Sequence, residues 1–183
     1  MARQREEGIM KDLLEKGIMY LSEEVTGKMA EQFGKAMMWL NAAGQFEEIE
    51  LIIDSQGGSV VAGLQMYEMI RRSKIPVRGV VYRRAFSVAA IVLQACHTRV
   101  AFSSAEILFH DNTAEVLVTD SEQEISEKLK YSRQRQAVMH RIIAAKSGKS
   151  LEEAVKFSRL EMRMSAIEAL ERGFVDKLIE LIP

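Results

Sequence analysis

One cysteine, Cys96, is all the thiol chemistry this chain of 183 residues has. That excludes an intramolecular disulfide and a cysteine cluster for metal, fits a reducing compartment, and leaves Cys96 to the core, where free cysteine prefers to sit. An excess of charge of one sign is missing as well: 25 basic residues almost balance 26 acidic ones, for a formal net charge of −1. No global field therefore favours nucleic acid or an anionic membrane, and partner choice falls to local surface. No run of about 18 apolar residues occurs, and the polar start at residues 1–8 lacks the hydrophobic stretch of a secretory signal. The expectation is a soluble cytoplasmic protein with no membrane and no nucleic-acid partner. Repeats, low-complexity tracts and linkers are absent too. With 48% hydrophobic residues the chain is long enough for one buried core, so residues 1–183 read as a single domain. The 11 methionines read as adaptable packing.

What is present is an alternation. Residues 18–21 (IMYL) form a short apolar strand, after which Met29, Phe33, Ala36, Met37 and Leu40 recur at helical spacing. Residues 49–53 have a buried-strand pattern that ends in Asp54-Ser55-Gln56-Gly57-Gly58, and Val61, Leu64, Met66 and Met69 mark another helix, closed by Pro76. A strand at 77–82, an uncharged and therefore buried helix at 87–95, and strands at 99–102 and 106–109 follow. Residues 113–119 alternate like an exposed strand. Asp120 or Ser121 caps a long polar, peripheral helix to about residue 146. A helix at 151–158, a capping box from Ser165 to Glu168 and a strand at 174–178 complete the chain. Strands alternating with helices predict right-handed crossovers and a largely parallel α/β sheet buried between helices.

Three positions carry candidate chemistry. A glycine pair after a buried strand lets backbone N–H groups approach a ligand and stabilise an oxyanion, with Gly58 as the donor; alone it also fits a turn that needs positive φ. Ser87 opens a helix, where it is either an N-cap or a nucleophile whose oxyanion the Val88 amide favours. His110 ends an apolar strand beside Asp111 and is a candidate base, although a lone histidine there is more often structural. His97 and His140 have no comparable placement.

In combination, the segments IELIIDSQGGSVVAGLQMYEMIRRSKIPV, AFSVAAIVL, EILFH, SGKSLEEA and MSAIEALERGFVDKL resemble the proteolytic subunit of the Clp protease, a family of serine peptidases. The resemblance spans roughly residues 13–180, and the spacing from Gly58 to Ser87 matches the family without a gap. It implies a crotonase-like fold of repeated β-β-α units, with a protruding handle at about 111–147. Ser87 would be the nucleophile and His110 the general base and acid. Gly58 and Val88 would form the oxyanion hole, and Glu161 would stand where the family has its catalytic aspartate. The implied reaction is hydrolysis of short or unfolded peptides through an acyl-enzyme, with no metal or organic cofactor. The implied assembly is a homo-oligomeric heptameric ring or a pair of rings, a tetradecamer, with an ATP-driven AAA+ unfoldase as a possible partner.

The chain departs from the family at identifiable places. Ala89 replaces a glycine, Arg83-Arg84 replace Gly-Gln, and Leu160 replaces an arginine that couples rings. HDNTAEVLVTD has neither the proline nor the glycines of the family's peptide-binding strand. Glu50 and Ile52 stand where aromatic residues line the unfoldase pocket, and the segment ahead of Leu13 is shorter than the family's axial gate. The two arginines either meet substrate, by clash or by recruiting acidic side chains, or are solvated surface charge. Three other readings stay open: an inactive ring subunit, a stand-alone or viral maturation peptidase, and an acyl-CoA enzyme of the same fold.

Overall fold

The computed structural model describes residues 2–112 and 117–180, with side chains from Gly8 onward. Its elements are α1 (Ala2–Leu14), β1 (Ile18–Leu21), α2 (Gly27–Ala43), β2 (Ile49–Ser55), α3 (Val60–Arg71), β3 (Val77–Phe86), α4 (Val88–Leu93), β4 (Thr98–Phe102), β5 (Glu106–Phe109), α5 (Glu122–Ser147), α6 (Leu151–Arg159), β6 (Met162–Ser165), α7 (Ala166–Glu171) and β7 (Lys177–Ile179).

Apolar runs such as Ile49, Leu51 and Ile53 are fully buried, and they assemble the parallel series β1-β2-β3-β4-β7. The ten-residue β3 is the axis of the sheet. Its first half pairs with β4, and its second half pairs with β5, which in turn binds β6 antiparallel. A register shift between Ile53 and Ser55 on β2, whose partners are Val81 and Ala85, bends the sheet where β3 changes neighbour. Against the buried face lies α4, all six of whose residues are buried. It comes so close to α3 that a Cβ on Gly63 would sit 2.1 Å from Val88 Cγ2.

At the β4 and β7 edge, the buried Arg99 guanidinium donates to both carboxylate oxygens of Asp176, to Gln94 Oε1 and to the Gly173 carbonyl. Burial pushes the Asp176 carboxyl up, but the Arg99 bonds and charge outweigh it and hold the group below its ordinary value. Removing Asp176 would strand a buried cation, at a cost on the order of 3 kcal/mol. Burial also pushes the Cys96 thiol up to about 12, so this cysteine is packing and not a reactive thiolate.

Several sequence expectations are corrected. Burial alternates along β2 and β5, so the sheet has one buried row and one half-exposed row instead of lying fully between helices. The third helix stops at Arg71, well before Pro76, and β3 runs past Tyr82 to Phe86. The uncharged helix is shorter than expected, ending at Leu93. Phe174 and Val175 are buried, yet the last strand is Lys177–Ile179. α1 and β6 were not expected, because the first is mostly polar and the second has only four residues. Of the expected strand at 113–119, residues 113–116 lie outside the described residues, and 117–120 form a turn closed by Asp120 Oδ2 accepting from the Leu117 N–H. The long helix is not wholly peripheral: Ser132, Met139, His140, Ile142 and Ile143 are buried. Among the described residues no helix is long and apolar enough to cross a membrane.

Candidate active site

In a parallel sheet the open crevice lies beyond the carboxyl ends of the strands, and here three adjacent ends deliver the expected residues. β2 ends into Gly57-Gly58, β3 into Ser87 and β5 into His110. The Ser87 N–H donates to the Leu108 carbonyl at 2.9 Å, extending the β3–β5 ladder one residue beyond β3. From the other direction comes β6, whose register pairs Phe109 with Met162. Glu161 directly precedes β6, as His110 directly follows β5.

The glycine turn fits this place and tolerates nothing larger. Gly57 has φ 93°, and a Cβ there would lie 2.7 Å from both the Phe86 carbonyl oxygen and Ser87 Cβ. Gly58, with φ 146°, would push a Cβ to 2.6 Å from the Val25 carbonyl oxygen. That carbonyl accepts from the Ser59 N–H at 2.7 Å, and the Gly57 carbonyl accepts from the Val25 N–H at 2.8 Å, so the turn is pinned on both sides. The buried Ser55 hydroxyl accepts from the Gly57 N–H at 3.1 Å and donates to the Glu23 carbonyl. Gly58 N–H and Val88 N–H have no acceptor among the described residues.

Ser87 precedes α4 with φ 56° and ψ −129°, and its side chain makes no capping bond. Among the described residues only one other non-glycine residue has positive φ, and that is Glu161 at 48°. Each such backbone costs on the order of 1–3 kcal/mol and persists only where its surroundings impose it, which is where functional residues cluster. Ser87 and His110 are half-buried, and Glu161 and Gly58 are exposed.

The hydrogen bonds are not those of a closed catalytic relay. His110 Nδ1 lies 2.8 Å from the Asp111 carbonyl oxygen. No hydrogen bond joins Ser87 Oγ to His110, and the Glu161 carboxylate has no partner among the described residues. Unliganded sites often show such loose geometry, so it does not dismiss the residues. Arg83 and Arg84 both turn to Asp54, with Nε to Oδ1 separations of 3.1 and 3.4 Å; the Arg84 Nε is buried and makes no hydrogen bond. Glu50 pairs with Arg78 at 3.2 Å across β2 and β3.

Two groups beside the site carried no sequence signal. Arg163 donates in a bidentate pair to Glu106 and lies 5.2 Å from the centre of the Phe86 ring, next to Ser87. The Arg163 bond holds the Glu106 carboxyl below its ordinary value. Gln136 sits in a polar stretch of α5, where nothing in the sequence distinguishes it. It bonds to Asp111 and Asn112, directly after His110. His140, set aside in the sequence, is buried beside the same Asp111.

A serine, a histidine and a glycine turn at the carboxyl ends of adjacent parallel strands define the class as an α/β domain with a crevice at one end of its sheet. Comparison with protein families narrows this. The Clp protease family matches residues 2–181, nearly the whole chain, and the protein belongs to that family. Its fold is accordingly the α/β Clp protease type, and its family activity is that of a peptidase.

Proposed function

We propose that this protein is a serine endopeptidase that cleaves short or unfolded peptides, with Ser87 as nucleophile, His110 as general base and acid, and Glu161 as the carboxylate that stabilises the imidazolium. The observation that carries this reading is backbone strain. The non-glycine residues with positive φ among the described residues are Ser87, directly after β3, and Glu161, directly before Met162, which pairs with Phe109. His110 Nε2 takes the Ser87 hydroxyl proton as Oγ bonds to the scissile carbonyl carbon. The oxyanion that forms accepts from the Gly58 and Val88 N–H groups. The C–N bond breaks as His110 returns the proton to the leaving amine, and water, deprotonated by His110, then releases the acyl group.

The working form in this reading is a homo-oligomeric ring, single or paired, in the cytoplasm, where enclosure admits peptides and excludes folded proteins. The Glu50–Arg78 ion pair puts charge, and Ile52 an aliphatic side chain, where the family's unfoldase pocket has aromatic residues, so docking of an AAA+ unfoldase is not part of this reading. The test is hydrolysis of short fluorogenic peptides by the purified protein, with native mass spectrometry for assembly. Activity that Ser87→Ala abolishes and Glu161→Ala reduces supports the reading; activity indifferent to Ser87→Ala overturns it. The unbonded Ser87 and Glu161 favour a second reading, an inactive ring subunit, which predicts intact rings with no hydrolysis by the wild type.

A further inference from the structure

We propose that Gln136 is a positioning residue for His110: it grips Asp111 and Asn112 so that the Asp111 carbonyl holds the imidazole in the tautomer a general base needs. This rests on the reading of His110 as the base. A carbonyl oxygen only accepts, so the 2.8 Å contact between His110 Nδ1 and the Asp111 oxygen places the proton of a neutral ring on Nδ1. The lone pair is then on Nε2, the nitrogen that must take the Ser87 proton. In the usual serine-peptidase arrangement a carboxylate receives the Nδ1–H. Here Glu161 makes no such bond, and a backbone carbonyl does.

A carbonyl can serve this role only if its peptide is fixed. Gln136 Oε1 accepts from the Asn112 N–H at 2.5 Å, which identifies the other amide atom as nitrogen. That Nε2 donates to Asp111 Oδ1 at 2.8 Å, so one amide holds both residues that follow His110. Asn112 Nδ2 adds a bond to Ser132 Oγ at 3.0 Å. Behind the amide lie the buried His140, whose Nε2 is 2.7 Å from Gln136 Nε2 and 3.1 Å from Asp111 Oδ1, and the buried Ser158, 3.3 Å from Gln136 Nε2. The remaining buried residues of α5 are Met139, Ile142 and Ile143, so the polar cluster lies where the segment after His110 lands. Half-buried polar clusters of this kind hold one conformation through their shared hydrogen bonds and release it when one member is lost.

The deciding experiment reads the tautomer directly, by 15N magnetic-resonance spectra of the full-length protein labelled at histidine, at a pH where the ring is neutral. The His110 signals are those that vanish in His110→Gln. The wild type should show a protonated Nδ1 and a bare Nε2. Gln136→Met should give mixed tautomers and a kcat about tenfold or more lower, with KM within about twofold, since small misplacements of a reacting group cost rate and not binding. Gln136→Glu keeps the acceptor for Asn112 but loses the donor to Asp111, and should fall between; it also covers the case in which the methionine variant does not fold. A residue that only supports the fold would lower Tm and leave the tautomer alone. A protonated Nε2 in the wild type, or an unchanged tautomer in Gln136→Glu, overturns the proposal. Because the tautomer is read without substrate, failure of the peptidase reading, with hydrolysis indifferent to Ser87→Ala, remains separable from failure of this one.

Discussion

α4 and α7 each begin after a serine, Ser87 and Ser165, and these two serines do opposite things. Ser165 has φ −63°, accepts from the Glu168 N–H at 3.2 Å, and receives Glu168 Oε2 in return on its own N–H and hydroxyl. Ser121 and Ser150 repeat this capping box, and Ser59 caps α3 with its hydroxyl alone. Ser87 enters its helix at φ 56° with its hydroxyl uncommitted. It forgoes a cap worth about 1 kcal/mol and adds strain of similar or larger size. Both serines pass directly from a strand into a helix: Ser165 ends β6 opposite Glu106, and Ser87 follows β3 with its N–H donating to the Leu108 carbonyl. A serine whose oxygen serves the helix cannot serve chemistry, and the uncommitted hydroxyl of Ser87 supports its proposed role as nucleophile.

Exchanging alanine at the two serines should break the comparison most sharply. Ser87→Ala is expected to lower peptide hydrolysis by about 10⁴-fold or more while leaving stability within about 0.5 kcal/mol, read by single-turnover kinetics and urea unfolding. Next in size is Gly57→Ala, which places a methyl against Ser87 Cβ and the Phe86 carbonyl oxygen at positive φ. A loss of about 2–4 kcal/mol in unfolding free energy is expected, and an unchanged midpoint would show that the turn is not the rigid wall of the crevice. Ser165→Ala should cost about 1 kcal/mol and leave kcat unchanged, the reverse of Ser87→Ala.

The smallest effect is a pH dependence peculiar to the capped helix. Bonds from the Ser165 backbone and side chain hold the Glu168 carboxyl below its ordinary value of 4.5. Its folded pKa is thus lower than its unfolded one, so its contribution to stability is complete above about 4.5 and is lost as pH falls through the depressed value. Thermal scans through that window should show a slope that Glu168→Gln reduces, while Ser87→Ala leaves it in place.

Much of the fold was legible because its signals are local and strong. The apolar run before the glycine pair, the uncharged helix after Ser87 and the Ser165–Glu168 box each fix their own element by burial or by capping. β6 was not legible: MRMS has no strand pattern of its own and becomes a strand by pairing with β5. The end of α3 was misplaced because proline marks where a helix cannot continue, whereas Arg72 already caps it. At the site, Gly58, Ser87 and His110 stand out as residue types at strand ends, but the pairing that brings the start of β6, next to Glu161, to the end of β5, next to His110, depends on a register between strands some 50 residues apart.

The sequence by itself determined the alternation of strands and helices, the buried core and the glycine turn, because hydrophobic period, caps and chirality act over a few residues and leave few topologies open, while its motifs carried the resemblance to the family. Only the tertiary structure decided which serine is strained, which oxygen His110 Nδ1 contacts, and that Gln136 bonds to the two residues after it. Those features depend on contacts between elements distant in the chain, where a hydrogen bond is set by position within a fraction of an ångström and no local pattern records it.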